Sequence, residues 1–366
     1  MKAIAQFSRI FVGIIFTFSG LIKLKDPVGT QIKLEEYFDV FSQDFAWSAG
    51  FWHAITPFAL YFAIFLCTLE VVLGVALLVS YKLKTTSWIL LITCIFFGFL
   101  TFYSAYFNKV TDCGCFGETI KLKPWTSFWK DIILLFFILI ILWKRQLFTE
   151  RKTGSVVTLT VVLCLLLGIY CVRYLTVYDD LPYAVGQNIP TNMKPSEQMI
   201  FKYTYEKDGK EVELDQMPTD TTYHFKAMVT VNEDAAKPKI TDYNLWKDGD
   251  TTNYKEESFK GKKLMIVISS IEKANTANIA SIQELAKSLE KTDVKVWLVS
   301  ASSEEAVSQF RHEHQLGIIN LSADAKILKT IVRSNPGIWL LKEGTVVGKW
   351  SSYCTPSKDD VLAKTN

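Results

Sequence analysis

Residues 111–120 read TDCGCFGETI, which sets Cys113 and Cys115 on either side of Gly114 at the end of a long apolar run. Two thiols one residue apart can close a small, strained disulfide ring, and strain makes a disulfide easier to reduce and so a better oxidant. Gly114 removes one side chain from that turn and permits backbone angles that other residues avoid. Lys109, Lys121 and Lys123 nearby favour the thiolate, and Asp112 opposes them. Two uses of the pair stand open: thiol–disulfide exchange, or a staple that only pins the loop. A metal site needs three or four ligands. Only His53 lies on a loop that could add one, so no metal is expected.

Electrons leaving such a pair need an acceptor. Beside a bilayer the expected one is a membrane quinone. Trp125, Phe128 and Trp129 stand at the interface where they could flank its ring, although aromatic belts occupy membrane interfaces in general. Glu70 is a second chemical candidate, because an ionisable group well inside an apolar run is costly and so paired or functional. At about 1.5 Å per residue it falls in the cytoplasmic half of its helix. Arg9 enters from the same side and is the expected partner in a buried ion pair; a proton or ligand role for Glu70 is the other reading. Cys67, Cys94, Cys164 and Cys171 lie within apolar runs and read as packing residues. His312 and His314, at a polar helix end, read as solvated surface.

These side chains need elements to hold them. Of 366 residues 49% are hydrophobic and 14% are Phe, Trp or Tyr, and the apolar runs lie before about residue 178. Five segments, roughly 5–23, 56–80, 86–107, 125–143 and 155–175, reach the length of about 20 helical residues that crosses a bilayer core. The first has no small-x-small cleavage site and runs on as GLIKLKDP, so it reads as a retained helix rather than a signal peptide. Lys2 and Arg9, then Lys82 and Lys84, then Lys144, Arg145, Arg151 and Lys152 mark alternate helix ends, which the positive-inside rule makes cytoplasmic. The opposite ends carry an acidic loop (Glu35, Glu36, Asp39, Asp44) and the Cys-Gly-Cys loop. The expected location is a bacterial inner membrane, with the N-terminus cytoplasmic and the thiol pair and C-terminal domain on the oxidising, periplasmic side. A formal charge of +3 without a basic stripe excludes nucleic acid as a partner. Seven cysteines, an odd count, exclude a scaffold in which every cysteine is paired.

From about residue 260 the pattern is that of a small α/β unit. A buried strand in GKKLMIVISS precedes a helix over 275–290, a strand in DVKVWLVSAS and a short helix around 303–311. A helix in DAKILKTIV then leads to proline, strand, Glu-Gly turn and strand in RSNPGIWLLKEGTVVGKW. Residues 181–259 read as a linker followed by extra strands packed on that core. The order resembles the thioredoxin fold, in which a proline, usually cis, precedes the third strand; Pro336 holds that place. The resemblance implies Cys-x-x-Cys after the first strand, yet the chain there reads SSIEKAN. Ser269 and Ser270 cannot replace a thiolate. Cys354, the one cysteine of this domain, reads as a partly buried small apolar residue. The domain is therefore expected to dock a protein partner rather than to exchange electrons itself.

The membrane half carries a resemblance of its own. FSGLIKLKDPVG is similar to the Gly-x-x-Lys-Leu-x-Asp-Pro-x-Gly signature of DoxX-type membrane proteins, through Gly20, Lys23, Leu24, Asp26, Pro27 and Gly29. The next span resembles that group's glutamate-containing helix, with Glu70 and Gly74. CGCFG, with Phe116 and Gly117 behind the cysteines, resembles the Cys-x-Cys-Phe-Gly element of MauE proteins. These are implicated in maturing a disulfide-rich periplasmic dehydrogenase subunit. The resemblance covers about residues 1–145. The expected fold is an α-helical membrane bundle of four helices (1–150) with a fifth connecting span (151–180). A linker with extra strands (181–259) and an α/β thioredoxin-like extracytoplasmic domain without its cysteine pair (260–366) follow. The expected function is a membrane thiol–disulfide component passing electrons from extracytoplasmic proteins to quinone. The alternative is a non-catalytic assembly or scaffold protein.

Overall fold

In the computed structural model, which describes residues 2–110, 114, 117, 122–207, 209–220, 222–232 and 236–365, the apolar runs become long helices. The chain divides into two units, Met1–Leu181 and Pro182–Asn366. The first holds α1 (Lys2–Leu24), α2 (Pro27–Asp44), α3 (Ala49–Ile55), α4 (Ala59–Leu78), α5 (Leu83–Phe107), α6 (Pro124–Trp143) and α7 (Gly154–Tyr174). Among the described residues, five helical stretches are long and apolar enough to cross a membrane: Lys2–Leu24, Ala46–Leu78, Leu83–Phe107, Pro124–Trp143 and Gly154–Tyr174.

Helices in lipid gain no hydrophobic drive from meeting each other, so they associate through close packing at small residues. The α1–α4 pair is built this way. A Cβ on Gly74 would sit 2.4 Å from Thr17 Oγ1 and 2.6 Å from Thr17 N. One on Gly20 would sit 2.7 Å from Val71 Cγ2 and 2.8 Å from Val71 N. Gly13 meets Leu78 and Gly74, and Gly20 meets Val71 and Cys67, so the two helices run antiparallel. Val12 and Phe16 of α1, Leu73 and Leu77 of α4, Leu90 of α5 and Leu134 and Ile138 of α6 close the core between them.

One element of this unit was not visible as such in the sequence. The acidic loop after the first span is an 18-residue helix, α2. Its start is encoded locally: the Asp26 carboxylate accepts a hydrogen bond from Gly29 N at 2.9 Å, and Pro27 occupies the first turn, where its missing N–H costs nothing. Leu34, Tyr37, Phe38 and Phe41 recur at helical spacing and are buried. Tyr37 and Phe41 pack with Leu100 and Tyr103 of α5, while Leu34 and Phe38 pack with Ala59 and Ala63 of α4.

The second unit begins with α8 (Ile189–Asn192). Strands β1 (Phe201–Lys207), β2 (Lys210–Leu214) and β3 (His224–Thr230) form an antiparallel sheet in the order β2-β1-β3. The three strands lie between 181 and 259, where strands packed on the α/β core are expected. They form a sheet of their own, and β3 is exposed along most of its length. After α9 (Tyr254–Ser258) come β4 (Lys262–Ile268), α10 (Ile279–Leu289), β5 (Val294–Ser300), α11 (Glu304–Glu313), β6 (Ile319–Ser322) and α12 (Ala325–Ile331). β7 (Gly337–Lys342), β8 (Thr345–Ser351) and α13 (Lys358–Thr365) complete the chain. The five-stranded sheet has the order β6-β5-β4-β7-β8, with β4, β5 and β6 parallel and β7 and β8 each antiparallel to its neighbour. Both faces of β4 are covered, so it reads as an unbroken apolar run rather than an alternating one. Leu264, Ile266, Ile338 and Leu340 pack against Ile282, Leu285 and Phe310 on one face. On the other, Trp339 meets Tyr183 and Tyr243, each at 6.1 Å between ring centroids. The Asn335–Pro336 peptide bond is cis.

Candidate functional site

Glu70 and Lys23 form an ion pair inside the bundle, with only 2% and 6% of their surfaces exposed. Ser19 Oγ donates to the second Glu70 oxygen at 2.9 Å, and the Lys23 ammonium also lies 4.7 Å from the centroid of the Phe97 ring. The expected Arg9–Glu70 pair is not formed. Arg9 Nη1 donates instead to the Leu77 and Leu78 carbonyls, at 3.4 and 3.3 Å, and to the Ser80 hydroxyl. The antiparallel register explains the exchange of partners. Arg9 lies level with the end of α4, and at about 1.5 Å per residue Glu70 is roughly 11 Å further along the axis. That depth is the level of Ser19 and Gly20, and Lys23 is one turn on from Ser19.

A second buried carboxylate escaped the sequence reading. Asp131 on α6 is 4% exposed. It accepts from Lys130 Nζ at 2.6 Å and from Thr101 Oγ1 of α5 at 3.0 Å. Its signal in the sequence is WKDI, an acid beside a base near the start of an apolar run.

Both ion pairs face one cavity of about 70 Å³. Its walls are largely apolar, with Phe16, Leu66, Phe97, Leu100 and Leu134 among them. Cys67 and Cys94, read as packing residues, are buried and line this cavity. Cys67 Sγ donates to Thr30 Oγ1 at 3.8 Å and Cys94 Sγ to the Asp131 carbonyl at 3.5 Å. Cys164 and Cys171 are buried in α7.

Cys113, Cys115 and Phe116 lie outside the described residues. Gly114 and Gly117 lie within them, and both line the cavity. Each has a left-handed backbone, with φ of +62° and +61°, and Gly117 N–H donates to the Gly114 carbonyl at 3.0 Å. The turn thus requires glycine at 114, for the conformational reason its spacing suggested. A Cβ there would also press to 3.2 Å on the Lys33 stem. Lys109, counted above toward a thiolate, is ion-paired with Asp44. Hydrogen bonds from Lys109 and then Tyr103 hold the Asp44 carboxyl below its usual range.

The remaining candidates fall elsewhere. Trp125 and Trp129 are 48% and 59% exposed, stack against Phe128 edge-on or tilted, and are not among the described lining of the cavity. His53 sits in α3, a helix rather than a loop. Pro336 precedes β7. Cys354 is exposed, not partly buried, because it lies past the end of β8, where the chain leaves the sheet.

Seven motif residues of the first two membrane-half signatures have a physical place. Gly20 and Gly74 permit helix contact, Lys23 and Glu70 pair, Asp26 and Pro27 start α2, and Gly29 supplies the capped N–H and lines the cavity. Residues 1–144 match the family model of methylamine utilisation protein MauE. The match spans α1 to α6, and so includes every described residue of the cavity. The α/β unit lies outside it. No curated protein matches the chain.

Proposed function

We propose that this protein is a bacterial inner-membrane thiol–disulfide component of MauE type, taking electrons from extracytoplasmic proteins through Cys113 and Cys115 and passing them to a membrane quinone. The observation that carries the reading is the cavity: one buried ion pair, one half-buried ion pair and two loop glycines, one of them bonded to both cysteines, converge on the same space. Ionisable groups inside a bundle are costly and mark functional sites by default. In the exchange, two S–H bonds break and one S–S bond forms; two electrons and two protons pass to the quinone, which becomes quinol. The β5-β4-β7-β8 order and the cis-proline of the C-terminal unit support reading it as a thioredoxin-like domain. With serines where the thiols would be, its part is to dock a partner. That same feature favours the second reading, a non-catalytic accessory protein whose Cys-Gly-Cys turn is a staple.

Exchange proceeds through a mixed disulfide, so removing the resolving thiol traps it. Cys113→Ser or Cys115→Ser yields a covalent adduct with an extracytoplasmic protein that a reductant releases, and the double variant yields none. Adduct-free single variants would leave the staple reading.

The cation pattern sets the orientation, with Lys2, Lys82 and Lys84 in the cytoplasm. In a cysteine-free variant, a reporter cysteine at Asp250 reacts with an impermeant thiol reagent in intact spheroplasts. One at Lys84 reacts only after permeabilisation. The reverse labelling pattern would remove the thiol pair from the oxidising side.

A further inference from the structure

We propose that the intramembrane cavity, rather than the aromatic surface of Trp125 and Trp129, is the binding site for the quinone ring. This assignment rests on the acceptor named above.

The cavity has the contradictory character that a quinone requires. A bundle that spans lipid gives up stability to hold Lys23–Glu70 and Lys130–Asp131 inside it. It gives up more to leave open space between them, because interiors otherwise pack without voids. A purely structural pair needs no such space. The cavity's volume of about 70 Å³ is several times the roughly 10–15 Å³ that one water needs.

The lining selects among ligands of that size. Phe16, Phe97, Leu100 and Leu134 offer apolar and aromatic walls to a neutral ring. The Lys23 and Lys130 ammonium groups carry several N–H donors each that carbonyl oxygens can accept from. Glu70 and Asp131, on α4 and α6, are the carboxyl groups that can hold or give up a proton where those oxygens become hydroxyls. Trp125 and Trp129 offer stacking and one indole N–H each, with no titratable group of their own to handle a proton, on a surface about half exposed. Gly114, which stands between the two cysteines in the chain, belongs to that lining.

The test uses the full chain in nanodiscs with a photoreactive azido-benzoquinone, competed by a short-chain benzoquinone. Labelling is expected within 97–101 and 130–134. Thr101→Met and Leu134→Trp each fill the cavity and weaken binding about tenfold or more. Trp125→Ala with Trp129→Ala changes it by less than about twofold. Label on the wild-type chain that maps to 125–129, or to neither region, overturns the assignment even if both filling variants fail to fold. So does wild-type affinity in well-folded filling variants. Binding is also read in the Cys113→Ser/Cys115→Ser variant, where it persists because the site is made of other residues. A cavity that labels specifically in a protein whose thiols prove redox-inert supports this assignment and sinks the exchange reading alone.

Discussion

Glu70→Gln and Lys23→Gln each lower the stability of the membrane unit by about 3–5 kcal/mol, and the double variant recovers much of that loss. Removing either partner leaves the other as an uncompensated charge in a space almost closed to solvent. Removing both leaves two neutral polar groups that can still hydrogen-bond to each other and to Ser19. Thermal unfolding in detergent of the four-member cycle measures the coupling directly. The control is the pair the sequence suggested: Arg9→Gln and Glu70→Gln should add to within about 0.5 kcal/mol, since groups that share no contact behave independently. Strong coupling of Glu70 to Arg9, or additivity of Glu70 with Lys23, would mean that α1 and α4 pack in another register.

That register is the subject of the second large effect. Gly74→Leu should destabilise the bundle by at least about 3 kcal/mol, the upper range for overpacking. The new side chain meets not a flexible tip but the backbone N of Thr17 and the carbonyl of Gly13, at 2.6 and 2.7 Å from its Cβ. Gly20→Val meets Val71 N and the Cys67 carbonyl in the same way, at 2.8 and 2.9 Å. Both helices would have to separate. Lys23 would then move away from Glu70, so either variant should also lose the coupling described above. Gly50→Ala is the matched control, because nothing lies within 4 Å of a Cβ at that position. Midpoints from thermal unfolding and size-exclusion profiles of the three variants decide the matter. A Gly74→Leu protein as stable as Gly50→Ala would mean that the glycine contact is not where the helices meet.

The five spans and the order of strands and helices beyond residue 260 were legible in the chain because they follow from local, periodic properties. A run of about 20 apolar residues has few stable options in a bilayer other than a helix, and LMIVI can be buried on both faces of a parallel sheet. The start of α2 was equally local, in Asp26, Pro27 and Gly29. It was passed over because its charged residues outweighed the spacing of Leu34, Tyr37, Phe38 and Phe41. The need for glycine at 114 could also be read from spacing alone, as a close turn between two cysteines.

Which charges meet could not be read that way. Glu70 was identifiable as costly from its depth in one helix, but its partner depends on the register of α1 against α4, which Gly13, Gly20 and Gly74 set by contact across the pair. Lys23 stood out only as part of a motif, and Asp131 sits near the start of an apolar run beside Lys130. Each becomes a buried charge only once α2, α4 and α5 close around it. The cavity is a further step removed, since it is the space that five helices leave between them, and no one segment encodes it. Sequence by itself determined that there are helices, a costly glutamate and a glycine-hinged thiol pair. Only the tertiary structure decided that Glu70 meets Lys23 and that Gly114 lines the same cavity, because lateral packing distances of a few ångströms lie between residues dozens of positions apart.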